Sequence, residues 1–278
     1  MVKLTQLIIS TYKEAGKKWL DNLPSLLGKI SDSWNLLDLS IYENLSWHYV
    51  AKGFYNHTPI VLKVGCNLLN LQKEVAALRC FSSNSCVKVL IFSEEYGAIL
   101  LERAIPGTSL KEQLSDSSES IKIACNVAFK LKENQKKTAF PFDTVQNLLK
   151  NLDQSWNLPQ EWLFLARKLK EELLICSPQP HLIHGDLHRE NIISHGNSWV
   201  AIDPKGYIGS LYNEVWPFIH EPEKEIPLAA KHLNLDERRL IKWCFVHAVL
   251  SATWCLEDGV DPKSIAALAS KLFSMEIS

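Results

Sequence analysis

The sequence predicts an α+β fold in two parts, a smaller, mainly antiparallel β part followed by a larger, mainly helical part. Between residues 34 and 102, short runs of aromatic and β-branched residues alternate with turn residues, and one helical stretch interrupts them. From residue 109 onward, apolar residues recur mostly at helical spacing. Strands that precede a series of helices favour an α+β organisation over alternating βα units.

The first part begins with helices over residues 4–35, where Leu4, Ile8 and later leucines recur at helical spacing. Pro24 lies inside this stretch, and we expect it to open a second helix. The runs WNLLDLSIY, SWHYVAKGFY and TPIVLKVG then predict an antiparallel meander. A helix over residues 67–82 follows, and CVKVLIFSE and YGAILLERA predict two further strands.

A change of composition at IPGTSL predicts the boundary between the two parts. Pro106 and Gly107 end the preceding strand, and the Ser and Thr residues after them could cap a helix. The predicted division is therefore into residues 1–104 and 105–278. A β-like interruption at 181–204 lies among the predicted helices of the second part. Those helices span 109–135, 142–152, 159–177, 235–257 and 261–274.

The composition indicates a globular protein of the cytoplasm. Of the 278 residues, 46% are hydrophobic and 22% are charged, and the formal net charge is −1. A general binder of nucleic acid or anionic membranes would more often carry a basic excess. No apolar run reaches the length of a membrane span, and the N-terminal segment is expected to be a helix rather than a signal peptide. Seven cysteines without a C-x-x-C pair predict free thiols in a reducing compartment. They are Cys66, Cys80, Cys86, Cys125, Cys176, Cys244 and Cys255.

The segment HLIHGDLHRENIISHGNSWVAIDPKG, residues 181–206, concentrates polar residues between short apolar runs. Its histidines, His181, His184 and His188, suggest a zinc site. Two of them at i and i+4 would share a helix face, but Gly185 predicts a turn there, and the metalloprotease glutamate is missing. A Ser/His/Asp hydrolase would need a nucleophile turn such as G-x-S-x-G, which the segment lacks.

The acidic residues of this segment form a more specific pattern. Asp186 precedes Asn191 by five residues, and Asp203 follows the short strand WVAI. A carboxylate at a loop tip can accept a proton from a hydroxyl, and amide and carboxylate oxygens are ligands that Mg²⁺ prefers. The pattern predicts a phosphoryl-transfer site. The alternative is a surface hairpin in which Asp186 and Asn191 only form turns.

HGDLHRENII…AIDPKG resembles the catalytic segment of the aminoglycoside phosphotransferase family, which reads His-Gly-Asp-x4-Asn and continues into a strand ending in Ile-Asp. AIDPKG is typical of the streptomycin 6-phosphotransferase and hydroxyurea phosphotransferase branch. The resemblance implies a protein-kinase-like fold of two lobes that transfers the γ-phosphate of ATP or GTP, with Mg²⁺. It also implies that Asp186 is the catalytic base, that Asn191 and Asp203 hold Mg²⁺, and that His184 supports the loop.

Upstream residues fit the same resemblance. Lys63 in PIVLKVG stands where the family has the strand lysine that holds nucleotide phosphates, and Glu74 in the next helix stands where its partner would be. ILLERAIPG resembles the family's hinge, which implies that Glu102 and Ala104 read the nucleotide base. There is no G-x-G-x-x-G loop, so phosphate contacts at the first turn would involve Ser46 and backbone N–H groups.

The resemblance implies a small, cationic acceptor of the streptomycin type, so an acidic site is expected. The candidates for its rim are Glu214, Glu221, Glu223, Glu257 and Asp258. Exposed acidic residues are common on any surface, and Glu214 could instead brace the catalytic loop. Trp216 and Trp254 could line the pocket, although Trp254 has spacing and neighbours typical of a core position.

Other functions stay open at this point. A kinase of a choline-like or sugar-like hydroxyl would share the same fold, and a non-catalytic nucleotide-binding protein would share the same cleft. Antibiotic resistance is the role that the resemblance implies. Neither nucleic acid nor a membrane is an expected partner, and the sequence does not distinguish a monomer from a homodimer.

Overall fold

The structure, a computed structural model, describes residues 1–43, 45–82, 84–114, 117–175 and 179–277 of the chain. The segment α1 (Val2–Trp34) consists of two helical stretches that meet at Lys13, whose backbone is not helical, with φ 51° and ψ −127°; the second stretch continues through Pro24. The predicted second helix is therefore present, but it begins after Lys13, and the prediction that Pro24 opens it is wrong. Leu23 and Ile30, on either side of the proline, pack in a core cluster with residues of the β-sheet. This burial offsets the hydrogen bond that proline removes from a helix.

A five-stranded antiparallel sheet follows α1 and confirms the predicted meander. Its third strand presents Leu62 and Val64 to the core cluster that α1 shares, so Lys63 between them faces the opposite side. Helix α2 (Leu68–Cys80) follows this strand in the chain. The strands are β1 (Leu36–Ile41), β2 (His48–Tyr55), β3 (Thr58–Gly65), β4 (Val89–Ser93) and β5 (Ala98–Glu102), in the order β1-β2-β3-β5-β4.

Two smaller antiparallel sheets build the centre of the second part. One contains β6 (Pro106–Ser109), β8 (Ile192–His195) and β9 (Ser198–Ala201), and the other pairs β7 (His181–Ile183) with β10 (Tyr207–Gly209).

The end of β9 is tied to the first part of the chain. Val87 N–H donates to Ala201 O at 3.2 Å, and Ala201 N–H donates to Ser85 O at 2.8 Å. The loop that carries Asp203 therefore starts beside the segment that leads into β4. The division of the chain into residues 1–104 and 105–278 stays a prediction.

Helices make up most of the second part. The sequence patterns predict neither α7 nor α8, because α7 is short and α8 has Pro222 at its start and Pro227 inside it. Two 3-10 turns extend α5 and α7, at Leu149–Asp153 and Trp216–Phe218. The helices are α3 (Leu110–Gln113), α4 (Ser117–Lys132), α5 (Val145–Leu148), α6 (Gln160–Ile175), α7 (Leu211–Val215), α8 (Pro222–Leu233), α9 (Glu237–Glu257) and α10 (Lys263–Ile277).

Helix α9 is long and apolar enough to cross a membrane by length and composition alone. It packs against α6, α8 and α10, however, and most of it is buried. It is therefore the core helix of the second part. The described cysteines are free thiols, namely Cys66, Cys80, Cys86, Cys125, Cys244 and Cys255. Cys176 lies outside the described residues, and the cytoplasmic location stays a prediction.

Candidate active site

Lys63 lies at the centre of an ion-pair cluster in which Lys63 and Glu74 are buried and Asp203 is half-exposed. Its side chain is 4% exposed, and its Nζ lies 2.7 Å from Glu74 Oε2 and 3.1 Å from Asp203 Oδ1. The predicted pairing with Glu74 is thus present, and Asp203 joins it from the loop after β9. The cluster connects β3, α2 and the second part of the chain at one point.

Burial and charge oppose each other in this cluster. Burial acts to lower the pKa of Lys63, but Asp203 and Glu74 outweigh it and raise that pKa above its usual value. Burial raises the pKa of Glu74 despite the nearby Lys63. Burial acts in the same direction on Asp203, but Lys63 brings the pKa of Asp203 below its usual value. Lys63 and Asp203 are therefore both charged at neutral pH, which suits them to phosphate and to a cation.

Asn191 and Asp203, the two predicted Mg²⁺ ligands, lie close together. Ile202 N–H donates to Asn191 O at 3.0 Å, and Asp203 follows in the left-handed region with φ 59°. Asn191 Nδ2 donates to Asp186 O at 2.9 Å, which leaves the amide oxygen for a cation. Two such oxygens fit Mg²⁺, because this ion usually takes its remaining ligands from water and nucleotide phosphates.

His184 has the contacts expected of loop support. Its buried ring accepts a hydrogen bond from Asp186 N–H through Nδ1 at 3.2 Å, and Nε2–H donates to Ile202 O at 2.8 Å. Burial lowers the pKa of His184 to about 4, so the ring stays neutral and keeps this donor and acceptor assignment. The ring thus joins the loop of Asp186 to the loop of Asp203.

Glu214 lies beneath the catalytic loop rather than on the acceptor rim. It is 1% exposed, and its carboxylate accepts hydrogen bonds from His184 N–H at 2.5 Å and Gly185 N–H at 3.1 Å. Burial raises its pKa to about 7. The prediction that Glu214 contacts the acceptor is wrong, because α7 points this carboxylate at backbone donors. The alternative role as a brace describes its contacts.

Arg189 is a second brace, which the sequence patterns do not identify. Its Nη2 donates to Glu225 Oε1 at 2.6 Å and to Phe218 O at 3.1 Å. Glu225 Oε2 in turn accepts from the N–H groups of His220 and Glu221. The catalytic loop is therefore anchored to the start of α8.

Asp186 opens onto a cavity of about 260 Å³. Its side chain is 37% exposed, and burial raises its pKa, against the opposing charges of His188 and Lys205. A carboxylate with a raised pKa is better matched to accepting a proton near neutral pH. Asp186 and Lys205 are the charged side chains among the described residues that line this cavity.

The cavity walls are mainly aromatic and apolar. Tyr207, Trp216, His247 and Trp254 contribute to the lining. Trp216 stacks on His247 with ring centroids 5.5 Å apart and an interplanar angle of 3°. Burial lowers the pKa of His247 to about 3, so this wall is uncharged. Trp254, expected in the core, lies at the cavity as well as against the core.

The other acidic residues that were predicted at the rim of the acceptor site lie in different places. Glu221 does not line this cavity; it begins α8, with Oε2 2.7 Å from Lys224 Nζ. Glu223 is exposed in the first turn of α8. Glu257 and Asp258 are exposed at the C-terminal end of α9, one turn beyond the cavity residue Trp254. These two remain candidates for contact with an acceptor.

For the residues that are predicted to contact the nucleotide, the structure shows their exposure and which backbone groups are already hydrogen-bonded. Glu102 N–H donates to Lys88 O at 2.9 Å, so Glu102 can offer a nucleotide base its carbonyl oxygen rather than its N–H. Ala104 is buried just after β5. Ser46 is exposed in the loop between β1 and β2, and Asn44 in the same predicted turn lies outside the described residues. Their contacts with a nucleotide stay predictions.

His48 and Lys205 belong to the site, although neither is among the residues that the sequence patterns predict for it. His48 pairs across the sheet with Gly65, where a Cβ would come 2.7 Å from His48 Cδ2, so the glycine makes room for the ring. Burial and Lys63 lower the pKa of His48 to about 3. Lys205 Nζ lies 3.9 Å from Asp186 Oδ2. Lys205 could have been identified from the sequence, because it follows Asp203 by two residues. His48 could not, because its place in the site depends on the register of β2 against β3.

The histidines that suggested zinc have separate contacts. His184 braces the loop, and His188 Nδ1 lies 2.9 Å from Glu190 Oε2. Across the residues that the structure describes, no group of three or more His, Cys, Asp or Glu side chains is placed to hold a metal ion. The geometry therefore favours carboxylate and amide chemistry over a histidine metal site.

Known proteins are similar to this chain, some in sequence and others in fold. The chain is 22% identical to a streptomycin 6-kinase of Streptomyces griseus over 91% of this chain and 90% of that protein. It is 26% identical to a streptomycin 3''-kinase of Klebsiella pneumoniae over 64% of this chain and 74% of that protein.

A solved structure supports the kinase-like fold. A thermostable mutant of the aminoglycoside phosphotransferase APH(4)-Ia, in a ternary complex with AMP-PNP and hygromycin B, is 14% identical, with a TM-score of 0.68. The match covers 90% of this chain and 97% of that chain. The predicted protein-kinase-like fold is thereby confirmed.

A family model described as aminoglycoside/hydroxyurea antibiotic resistance kinase matches residues 51–259. That range contains Lys63 and Glu74 as well as the loop of Asp186, so it spans both walls of the cleft. Because the match covers well over half of the chain, the chain belongs to the aminoglycoside/hydroxyurea antibiotic resistance kinase family and is a phosphotransferase with an alcohol group as acceptor.

Proposed function

We propose that this chain transfers the γ-phosphate of ATP or GTP to a hydroxyl of a streptomycin-type aminoglycoside. The observation that carries the proposal is the convergence of Lys63, Glu74 and Asp203 at the cleft, beside Asp186 and its cavity. One group of residues suits a nucleotide phosphate and the other suits an acceptor hydroxyl. The two streptomycin kinases named above support this class of acceptor.

The nucleotide side positions the phosphates. Lys63 would contact them, and its ion pairs with Glu74 and Asp203 hold its ammonium in place. Asn191 and Asp203 would hold Mg²⁺, which would neutralise charge on the phosphate oxygens. Glu102 and Ala104 would contact the base, and Ser46 would lie near the phosphates.

Asp186 would accept the proton of the acceptor hydroxyl as the oxygen attacks. The Asp186 backbone is held by His184 on one side and Asn191 on the other, and Glu214 braces the preceding two N–H groups. A base held in this way can act mainly by positioning, which supplies a large share of the acceleration in phosphoryl transfer.

A smaller acceptor is the second candidate, and the cavity itself favours it. Its volume of about 260 Å³ is slightly below the range of typical ligand pockets, roughly 300–1,000 Å³. Its walls are aromatic, and Glu214 is buried away from it. A choline-like cation could contact aromatic faces, and a sugar-like hydroxyl compound could stack on them.

An acceptor panel in a coupled assay for ADP or GDP release tests the proposal. The panel contains streptomycin, other aminoglycosides, choline, hydroxyurea and simple sugars, each with ATP and with GTP. We expect streptomycin to turn over at the highest kcat/KM. Faster turnover of choline, hydroxyurea or a sugar would support the second candidate instead. Nucleotide binding without transfer to any acceptor would indicate a non-catalytic nucleotide-binding protein.

A further inference from the structure

Lys205 is held by its backbone against the catalytic loop. The N–H groups of Lys205 and Gly206 both donate to His184 O, at 2.9 and 3.0 Å. Asp203 and Gly206 have φ values of 59° and 68°, so the chain turns on both sides of Lys205. The same residue, His184, accepts a hydrogen bond from the Asp186 backbone. The backbone therefore fixes where Lys205 stands relative to Asp186.

The ammonium group of Lys205 has fewer and longer contacts with protein groups than that of Lys63. Its Nζ lies 3.9 Å from Asp186 Oδ2, which is too long for a hydrogen bond. The side chain is 54% exposed and lines the cavity beside Asp186. Lys63, by contrast, is 4% exposed and held by Glu74 and Asp203. Lys205 thus keeps hydrogen-bond donors that a ligand can use.

Lys205 lies between the two sides of the reaction. It follows Asp203 by two residues, and its Nζ lies 3.9 Å from Asp186 Oδ2. Asp186 belongs to the acceptor side and Asp203 to the nucleotide side. A phosphoryl group that moves from nucleotide to acceptor must cross the interval between these two carboxylates.

We propose that Lys205 is a further catalytic residue whose ammonium contacts the phosphoryl group in transit; this rests on the proposed function. The bond between the acceptor oxygen and the γ-phosphorus forms, and the bond from that phosphorus to the β,γ-bridging oxygen breaks. The electron pair of the broken bond stays on the nucleoside diphosphate, and the hydroxyl proton goes to Asp186. Lys205 keeps its own protons and stabilises charge on the phosphoryl oxygens, where such charge is concentrated.

The alternative is that Lys205 only holds Asp186 in place. A positioning role of that kind would need a close contact, whereas the separation is 3.9 Å and His184 and Asn191 already hold the Asp186 backbone. The two roles predict different effects in an Asp186→Ala background. A lysine that acts only through Asp186 would no longer change kcat there, whereas a lysine that contacts the phosphoryl group would still lower it when removed.

Transfer kinetics of Lys205→Met and Lys205→Arg test the proposal, with the best acceptor from the panel or with water as acceptor. We expect Lys205→Met to lower kcat by about 10²–10³-fold, the size seen when one donor to a developing anion is removed. The KM values for acceptor and nucleotide, and the Kd for ADP with Mg²⁺, should stay within about threefold. Lys205→Arg should restore kcat to within about tenfold of the parent.

Lys111→Met is the matched control. Lys111 lies on α3 with its Nζ 2.5 Å from Glu190 Oε1, and its side chain is 65% exposed, so this variant removes a nearby surface cation that does not line the cavity. We expect its kcat to be unchanged. Equal kcat in Lys205→Met and the parent would overturn the inference alone, as would Lys205→Arg as slow as Lys205→Met. A parent protein that binds ADP but transfers phosphate to no acceptor would overturn the proposed function, and the inference with it.

Discussion

The two sides of the cleft are built in different ways. On the nucleotide side, Lys63, Glu74 and Asp203 are charged groups in mutual contact, and each lies in a short motif. On the acceptor side, Trp216 and His247 belong to a wall of stacked rings that share no motif and come from separate helical elements. The comparison teaches that this fold fixes the chemistry with a few charged residues that stand in recognisable motifs, and leaves specificity to packing between helices.

The largest effect that is confined to one side of the cleft, the nucleotide side, is expected from Lys63→Met. Loss of the ammonium should lower kcat/KM for the nucleotide by about 10³-fold, because charge-assisted phosphate contacts are lost. It should also destabilise the protein by about 3–5 kcal/mol, because Glu74 stays buried without its partner. Kinetics and urea unfolding measure both effects.

A double variant distinguishes these two effects. Lys63→Met with Glu74→Met should recover much of the stability, since the unpaired charge is gone, but none of the activity. Lys170→Met removes a similarly buried lysine, 2.6 Å from Asp153, on α6, and should leave the nucleotide KM unchanged. Activity that returned with stability in the double variant would contradict a phosphate-binding role for Lys63.

An intermediate effect is expected from Glu214→Gln. One of the two backbone donors at His184 and Gly185 loses its acceptor, so kcat should fall by roughly 10–100-fold with little change in either KM. The pH dependence of the free energy of unfolding should also change. The raised pKa of Glu214, about 7 against an ordinary 4.5, means that its stabilising contribution is full below pH 4.5 and is lost as the pH rises through 7.

Unfolding at a series of pH values checks this assignment. The free energy of unfolding of the parent, relative to Glu214→Gln, should decline between about pH 4.5 and 7 because the buried carboxyl loses its proton. Identical pH profiles for parent and variant would show that Glu214 does not titrate in this range.

A smaller effect, confined to the acceptor, is expected from Trp216→Ala. Loss of one cavity wall should raise the acceptor KM by about tenfold, the size of one aromatic contact, while the nucleotide KM stays the same. Trp216→Phe keeps an aromatic wall and should remain near the parent. Equal rises in both KM values would indicate a general loss of structure instead of a lost acceptor contact.

The smallest effect is expected at the end of α9, where Glu257 and Asp258 are exposed. Neutralising both as Glu257→Gln and Asp258→Asn should raise the KM for a polycationic acceptor by a few-fold, or about 1 kcal/mol, and the rise should shrink at high salt. The KM for a neutral hydroxyl compound should not change. A salt-independent or absent effect would remove these residues from the acceptor site.

The same contrast explains what could be predicted from the sequence. The pairing of Lys63 with Glu74 could be predicted because a strand lysine and a helix glutamate match the pattern of the family that the chain resembles, and the loop residues Asp186 and Asn191 follow from one short motif. The cavity could not be predicted in this way. Trp254 has the spacing of a core residue, and only the packing of α9 against α7 places it beside Asp186.

Burial accounts for the remaining differences between what the sequence predicts and what the structure shows. Glu214 and Glu221 are both acidic residues in loop-like sequence, yet one is buried under backbone donors and the other pairs with Lys224 at the surface. His48 enters the site because Gly65 lies opposite to it in the strand register. Such facts depend on contacts between distant residues, which spacing along the chain does not reveal.

Asp186 lies where the two sides meet, and its substitution tests the central claim most directly. The measurement is transfer of labelled γ-phosphate to the best acceptor by Asp186→Ala and by the parent, with ADP binding and unfolding recorded for both. Transfer should fall by about 10³-fold or more, because the proton acceptor is gone, while ADP binding and stability stay close to the parent. Undiminished transfer by a folded Asp186→Ala protein would contradict the account.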